Sequence, residues 1–426
     1  MAQPAAVPVG AAVTAVRQAS LREHNLALVL RQIATAARPP SRADLAGATG
    51  LTRATVSALV DDLINGRLLT EVAPAPRSGA GRPAVGLTLA GHGPAGLGLE
   101  INVDYLAAVL VDLAGAVRHR AVRLVDLRPV PPAEALALAG ELITEAAAEA
   151  KRQDLTLAGT ALAVPGLVTA AGLVRLAPNL GWRDVDVPAL LGGHPALGGS
   201  GLGVDNEANL AALGELHAGP PEGGNFIYIS GEVGIGAGIV LHGTLFRGAR
   251  GWSGELGHVP VHPEGLPCRC GGRGCLEQYA GQEAILAAAR LTVPTPAGPE
   301  TPLGRAAVPA PGATVARLVE AAAREDPATQ RALVEAATAL GVAVAGVINL
   351  LDVDTVVLGG AYAPLARWLA PPVEAEIRRR VLTAAWSPVT VRAALLGGDA
   401  AALGAAGSVV RTVLEHPARW LGRASR

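Results

Sequence analysis

The chain has 426 residues, half of them hydrophobic, 17% charged, with a net charge of −1. That length exceeds one ordinary domain and predicts two or three folded units; the near-neutral balance excludes a chain-wide electrostatic attraction to nucleic acid. Aromatic residues are only 3%, so the cores must be packed with Ala, Val and Leu, and no apolar run is expected to reach the ~18–20 residues of a bilayer span.

Charge is uneven. Residues 1–90 hold nine Arg, no Lys and five acids, a balance of +4, which leaves −5 for the remainder. A basic segment on a slightly acidic body predicts one unit that meets DNA and one that does not. Residues 1–20 read as a disordered tail, because the stretch is apolar but lacks the basic start of a signal peptide. A cytoplasmic location follows, in which thiols stay reduced.

Leu26, Val29, Leu30 and Ile33 recur at helical spacing over Leu21 to Ala36, and Pro39-Pro40 stops that helix. Ser41 starts a second helix, with Asp44 three residues on as a capping-box variant, and Gly50 ends it. Thr52 caps a third, whose inner stripe is Val56, Leu59, Val60 and Leu63. Helix, glycine turn, helix is the helix-turn-helix pattern, in which the third helix faces base edges with its first turns. Thr52, Arg53, Thr55 and Ser57 are the candidates there. Gly66 to Val72 and Ala84 to Leu89 read as two strands, and the intervening loop carries Arg77 and Arg82 as a wing able to reach phosphate or a minor groove. Residues 21–90 are thus expected to form a winged helix-turn-helix. The bland alternative is a three-helix bundle used for oligomerisation.

Gly91 to Gly96 reads as a linker, and residues 91–420 as the body. Strands are expected at Gly98 to Val111 (two, around a turn at Asn102 to Tyr105), Leu157 to Val164, one ending on Gly203 to Glu207, Asn225 to Ser230, Ile239 to Leu241 and Thr355 to Leu358. Helices are expected at Pro132 to Ala150, Ala208 to His217, Gln282 to Ala289, Ala313 to Glu325, Pro327 to Leu351, Val373 to Leu382 and Asp399 to Val413. Residues 291–312, rich in Pro and Thr, read as a surface insertion. The alternation is that of an α/β body.

The densest chemistry lies in residues 254–281. His258, Cys268, Cys270 and Cys275 bring one imidazole together with every cysteine of the chain. Zn²⁺ takes four tetrahedral ligands, and closed Cys₃His sets are structural sites. An odd cysteine count at tight spacing disfavours the disulfide alternative. Glu255 and Glu277 flank these ligands, either as outer partners of the metal ligands or as acceptors for a polyol.

These motifs, with Asn206-Glu207-Ala208-Asn209, Pro178-Asn179 and Val356 to Gly360, resemble the ROK (repressor, open reading frame, kinase) family over Leu21 to Val413, with Asn-Glu-Ala-Asn similar to its xylose-repressor branch. The resemblance implies an actin/hexokinase-like body of two lobes around a sugar cleft, belonging to a sugar kinase or, with a winged helix, to a sugar-responsive repressor. Carried over by position, Asn179, Asn206, Glu207, Glu255, His258 and Glu277 would line the sugar, His258 offering its other nitrogen to the metal. Three departures bear on kinase chemistry. The first phosphate loop reads Glu100-Ile101-Asn102-Val103-Asp104-Tyr105, without the family's glycines and Lys. The second reads Glu232-Val233-Gly234, adding a charge. Glu207 stands where the kinase base is Asp, a displacement of about 1 Å that can cost ~10²-fold in rate. Phosphoryl transfer depends on positioning and charge neutralisation.

The expectation is therefore a repressor of sugar uptake or catabolism, not an enzyme. It would bind double-stranded operator DNA as a homodimer or homotetramer, respond to a monosaccharide, carry structural Zn²⁺ and have no membrane partner. The rivals are a sugar kinase with an attached DNA-binding domain and an adaptor for a transport protein.

Overall fold

The computed structural model describes residues 18–73, 85–219, 224–291 and 312–424. Arg77, Arg82 and nearly all of the expected insertion lie outside them. The chain divides into two compact units, one of residues 1–90 with 412–426, the other of residues 91–411.

The first unit opens with α1 (Gln18–Ala34), so the helix begins inside the stretch expected as tail. In α2 (Arg42–Thr49), Ser41 accepts from the Asp44 amide while Asp44 accepts from the Ser41 amide, satisfying two helix-end donors reciprocally. Gly50 ends the helix at φ +71°. In α3 (Arg53–Asn65), Thr52 caps the Thr55 amide, and Val56, Leu59, Val60 and Leu63 are the buried stripe. The strands β1 (Leu69–Val72) and β2 (Gly86–Leu89) pair antiparallel.

The second unit repeats one topology twice. Strands β3 (Gly93–Ile101), β4 (Tyr105–Asp112) and β5 (Val117–Leu124) form an antiparallel meander. After α4 (Pro132–Arg152), β6 (Leu155–Val164) pairs parallel with β3. A small sheet of β7 (Leu167–Val168), β8 (Leu173–Ala177) and β9 (Trp182–Asp186), then α5 (Val187–Leu191), precede β10 (Leu202–Asn206), which pairs parallel with β6. The order of this five-stranded sheet is β10-β6-β3-β4-β5. Beyond α6 (Glu207–Ala218) the plan recurs. Here β11 (Phe226–Gly231), β12 (Ile235–Leu241) and β13 (Thr244–Phe246) form the meander. Next come α7 (Glu277–Ala280), α8 (Gln282–Ala288), α9 (Ala313–Ala323) and α10 (Pro327–Leu351). Strand β14 (Thr355–Gly360) pairs parallel with β11; α11 (Ala366–Arg380) leads to β15 (Thr390–Ala393), parallel with β14.

With few aromatics, the layers close through small residues. Helix α6 and α12 (Ala400–Glu415) share one apolar cluster with residues of both sheets, including Ala163, Ala212, Tyr228, Val357 and Ala405. A Cβ on Gly404 would lie 1.8 Å from the Leu210 carbonyl oxygen, so only glycine permits this crossing.

Other expectations change as well. Gly93 to Gly96 belong to β3 rather than to a linker and pair with β6; at Gly96 a Cβ would lie 2.3 Å from the Ala406 carbonyl oxygen, so glycine admits the close passage of a helix there. Helix α11 starts seven residues before Val373 and contains Pro371 and Pro372. The missing amides cost hydrogen bonds within the helix, yet Leu369, Val373 and Ile377 are buried along it and hold it. Helix α10 is long and apolar enough to cross a membrane by composition, but it packs against α8 and α11, and 56% of its apolar window is buried.

The last helix, α13 (Pro417–Ala424), returns to the first unit. The body thus ends at 411 rather than at 420. Trp420 is buried and its indole N–H donates to the Gly66 carbonyl (2.9 Å), at the C-terminal end of α3. His416 Nδ1 lies 3.4 Å from Glu23 of α1. Trp420→Ala is expected to destabilise this unit by about 3 kcal/mol, the usual cost of deleting a packed Trp, in urea unfolding. Trp420→Phe, which loses chiefly the hydrogen bond, should cost about 1 kcal/mol. Equal stability of all three proteins would show that α13 does not hold the unit together.

Candidate functional site

In residues 254–281 the loop is shaped by local bonds. Ala237 of β12 donates to the Gly254 carbonyl (2.9 Å), and Leu276 donates to Val259 (2.9 Å). The Tyr362 hydroxyl, buried, donates to the Ala280 carbonyl (2.6 Å) and ties α7 to the end of β14. His258, Cys268, Cys270 and Cys275 place one ligand atom each within 4.8 Å of all the others. Cys270 Sγ and Cys275 Sγ are 3.7 Å apart, and Cys268 Sγ is 3.8 Å from His258 Nδ1. Metal–sulfur bonds of about 2.3 Å in a tetrahedron put ligand sulfurs roughly 3.8 Å apart, far beyond a disulfide of about 2.05 Å. The donor set therefore fits a metal ion. The Gly272 amide approaches Cys270 Sγ (3.4 Å) and Gln278 Nε2 approaches Cys268 Sγ (3.6 Å), so amide donors face the sulfurs as they would face thiolates.

His258 also lines a cleft whose walls include Asn179, Asn206, Glu207, Glu255 and Glu277. The cleft thus brings together all six residues that the sequence nominates for a polyol. Asn206 caps α6: its Oδ1 accepts from the Ala208 and Asn209 amides, and its Nδ2 donates to Glu207 Oε2 (2.9 Å). Glu277 Oε2 accepts from the Ile235 amide (3.3 Å). A Cβ on Gly234 would sit 2.8 Å from Glu277 Oε2 and 2.9 Å from Asn179 Nδ2. Three separate segments converge there, and glycine is what admits them.

The cleft is rich in carboxylates. Burial pushes Glu207 up to about 8, helped by repulsion from Glu255, Glu100 and Glu232. Burial also raises Glu255, with Glu277 adding to the rise and His258 opposing it. Glu207 is therefore largely protonated at neutral pH in the ligand-free cleft, so most of it already carries the proton a base would have to accept.

A second cavity of about 630 Å³ shares Glu232 and is further lined by Asp104, Tyr105, Arg120 and Asp399. Glu232 is raised to about 8 by burial and by Glu100 and Asp104. Glu100, raised to about 7 by burial, accepts from the Tyr105 hydroxyl (2.6 Å), while its Oε2 has no partner among the described residues. Arg120 is spent on Asp399 through two hydrogen bonds of 2.7 and 2.8 Å. Among the described residues, this cavity offers phosphate oxygens carboxylates rather than free cations. Sequence reasoning noted these loops singly; their mutual repulsion depends on distances that spacing does not encode.

In the first unit, Arg53 is exposed on the first turn of α3 and Ser57 is partly exposed on the next. The Thr52 and Thr55 hydroxyls lie 2.8 Å apart and bond to each other, so part of their polarity is spent on the cap. Arg42 pairs with Asp61 and Glu71, and Arg22 with Asp62. These pairs neutralise three of the five acids counted in residues 1–90 and consume two of its arginines.

A helix-turn-helix unit and a duplicated α/β unit with a carboxylate-lined cleft beside a Cys/His cluster together define a regulator built on a sugar-kinase-type fold. The ROK family profile matches residues 96–411, and the chain belongs to the ROK family. It is 32% identical over 276 residues to the xylose repressor of Bacillus spizizenii, covering 63% of this chain and 68% of that one. It is 33% identical over 276 residues to the glucokinase of Halalkalibacterium halodurans, covering 62% of this chain and 82% of that one. The crystal structure of a ROK family transcriptional regulator, a homologue of the E. coli MLC protein, superimposes with a TM-score of 0.73 at 26% identity, over 95% of this chain and 98% of its own.

Proposed function

We propose that this protein is a cytoplasmic transcriptional repressor of carbohydrate uptake or catabolism genes. A monosaccharide bound in the cleft changes its affinity for double-stranded operator DNA. The observation that carries the reading is the pairing, in one chain, of a doubly capped helix-turn-helix with a cleft that gathers Asn179, Asn206, Glu207, Glu255, His258 and Glu277. Similarity to a xylose repressor and to a regulator of full length supports it. His258, Cys268, Cys270 and Cys275 hold Zn²⁺, which fixes the loop carrying Glu255 and Glu277. The protein acts as a homodimer or homotetramer, since two recognition helices on a two-fold axis match two half-sites. The sugar acts through its differential affinity for two states.

Kinase activity is the second reading, favoured by the glucokinase relative and by the cavity of about 630 Å³ beside the cleft. Asp104 and Glu232 speak against it, because carboxylates at a phosphate site oppose the charge neutralisation phosphoryl transfer needs. A thermal-shift panel of pentoses and hexoses, each with and without ATP-Mg, separates the readings. A ligand at 100 times its Kd stabilises by ~2.7 kcal/mol. A sugar shift indifferent to ATP, without phosphorylated product, is expected; an ATP-dependent shift with product would make the protein a kinase.

Arg53→Ala is expected to weaken operator binding by about 1–3 kcal/mol, some 5- to 150-fold, in a fluorescence anisotropy titration, with the sugar-induced thermal shift unchanged. Equal loss of both would place Arg53 outside the DNA contact.

A further inference from the structure

The cavity of about 630 Å³ is floored by a sheet face that carries Tyr105, Ala107 and Val122. Ala107 pairs with Val122 on one side and with Glu100 on the other, and residues directly opposite in a sheet share a face. Glu100 therefore stands on the same face as that floor. It is 4% exposed; its Oε1 accepts from the Tyr105 hydroxyl, and its Oε2 is buried without a partner among the described residues. A buried polar atom left unpaired in a folded chain calls for an explanation, and a bound group that brings a donor is one.

Further carboxylates stand around this floor. Glu232 lies against the end of β14, where a Cβ on Gly360 would be 2.6 Å from its Oε1. Asp104 lines the cavity beside Tyr105, and Glu320 of α9 is exposed at its edge. Among the described residues, no hydrogen bond or ion pair from another side chain reaches the carboxylates of Glu232, Asp104 and Glu320. The cations close by are spent. Arg120 holds Asp399, and Arg128, whose charge acts on Asp104, holds Asp126. Much of the remaining wall is apolar, with Val122, Val315, Val319 and Pro364. These carboxylates do not converge on a point: the group of described residues placed to share one metal ion is the His258 set, not this one.

We propose that this cavity binds a linear aliphatic diamine or polyamine. Ammonium ends separated by methylenes match carboxylates separated by an apolar wall. Each end gains charge-assisted hydrogen bonds, the strongest kind, and the methylenes cover the valines. The volume lies within the range of small-molecule sites. A nucleotide is the opposite chemistry, since its phosphates would meet the same carboxylates. The inference does not rest on the repressor reading, because it concerns a cavity other than the sugar cleft.

Isothermal titration calorimetry tests it on the full-length, metal-loaded protein, without DNA or sugar, at about pH 8.5 and fixed ionic strength. The probes are cadaverine and spermidine. Glu232, raised to about 8, is mostly ionised under these conditions. Saturable binding of an amine is expected, with pentanediol and Mg²⁺ giving none. Asp104→Asn should weaken it by about tenfold or more, the loss of one charge-assisted hydrogen bond. Glu320→Gln, at the exposed edge, should weaken it by about threefold. Both variants should keep the parent's metal content and unfolding temperature. Absence of amine binding would overturn the proposal. So would equal binding of Mg²⁺ or of the diol, or an affinity unchanged in both variants. Because neither DNA nor sugar is present, failure of the repressor reading would leave these titrations as they are.

Discussion

Cys275→Ser is expected to strip the protein of its metal and to lower its stability by at least about 3 kcal/mol. Cys275 is 3% exposed, its Sγ lies 3.7 Å from that of Cys270, and its segment runs directly into Glu277. A serine hydroxyl is a poor zinc ligand, and a three-ligand remnant leaves two thiols and an imidazole crowded without the ion that binds them. Loss of a structural metal belongs to the short list of changes that exceed the ordinary cost of a point mutation. Metal content by mass spectrometry should fall from about one per chain toward zero, and the unfolding temperature by roughly 5 °C or more. The same fall should follow when a strong chelator is added to the wild-type protein. A wild-type protein purified without metal, no more stable than the variant, would remove the structural-zinc reading.

Glu207→Gln is expected to abolish the thermal shift given by sugar and to flatten the dependence of stability on pH. Glu207 in the folded chain holds its proton up to about pH 8, against 4.5 for an ordinary Glu. The folded state therefore binds the proton more tightly than the unfolded chain does. The stability that follows is full below about pH 4.5 and is lost as pH rises toward 8, with a slope of up to about 1.4 kcal/mol per pH unit for one such group. Glu100 and Glu232, raised to about 7 and about 8, act in the same direction. The ligand-free wild-type protein should thus unfold at progressively lower temperature between pH 6 and pH 8.5, and Gln, which cannot ionise, should remove part of that slope. A profile and a sugar response both identical to the parent's would place Glu207 outside the cleft's chemistry.

Both predictions concern residues that the sequence marks by type and spacing. The Cys/His set was legible because its ligands lie within 18 residues of one another and carry the chain's only thiols. The caps at Ser41 and Thr52 were legible because capping is a contact between residues three apart. Helix α10 announced itself by period, from Pro327 to Leu351. Asn206 and Glu207 could equally have been a helix start, which they are; their place on the cleft wall needed Gly166, Gly234 and His258 from three other segments.

What the amino-acid order determined by itself is local: which stretches bend, cap and bury a stripe, and which side chains can hold a metal within one loop. What only the tertiary structure decided is set by contacts between distant residues. It placed Trp420 on Gly66, 354 positions away, let a helix run through Pro371-Pro372 because its apolar face is buried, and buried Glu100, Glu207 and Glu232 so that each carboxyl is pushed up, with Glu100 repelling the other two. Charge repulsion and burial act through space, so their strength appears only once the chain has folded back on itself.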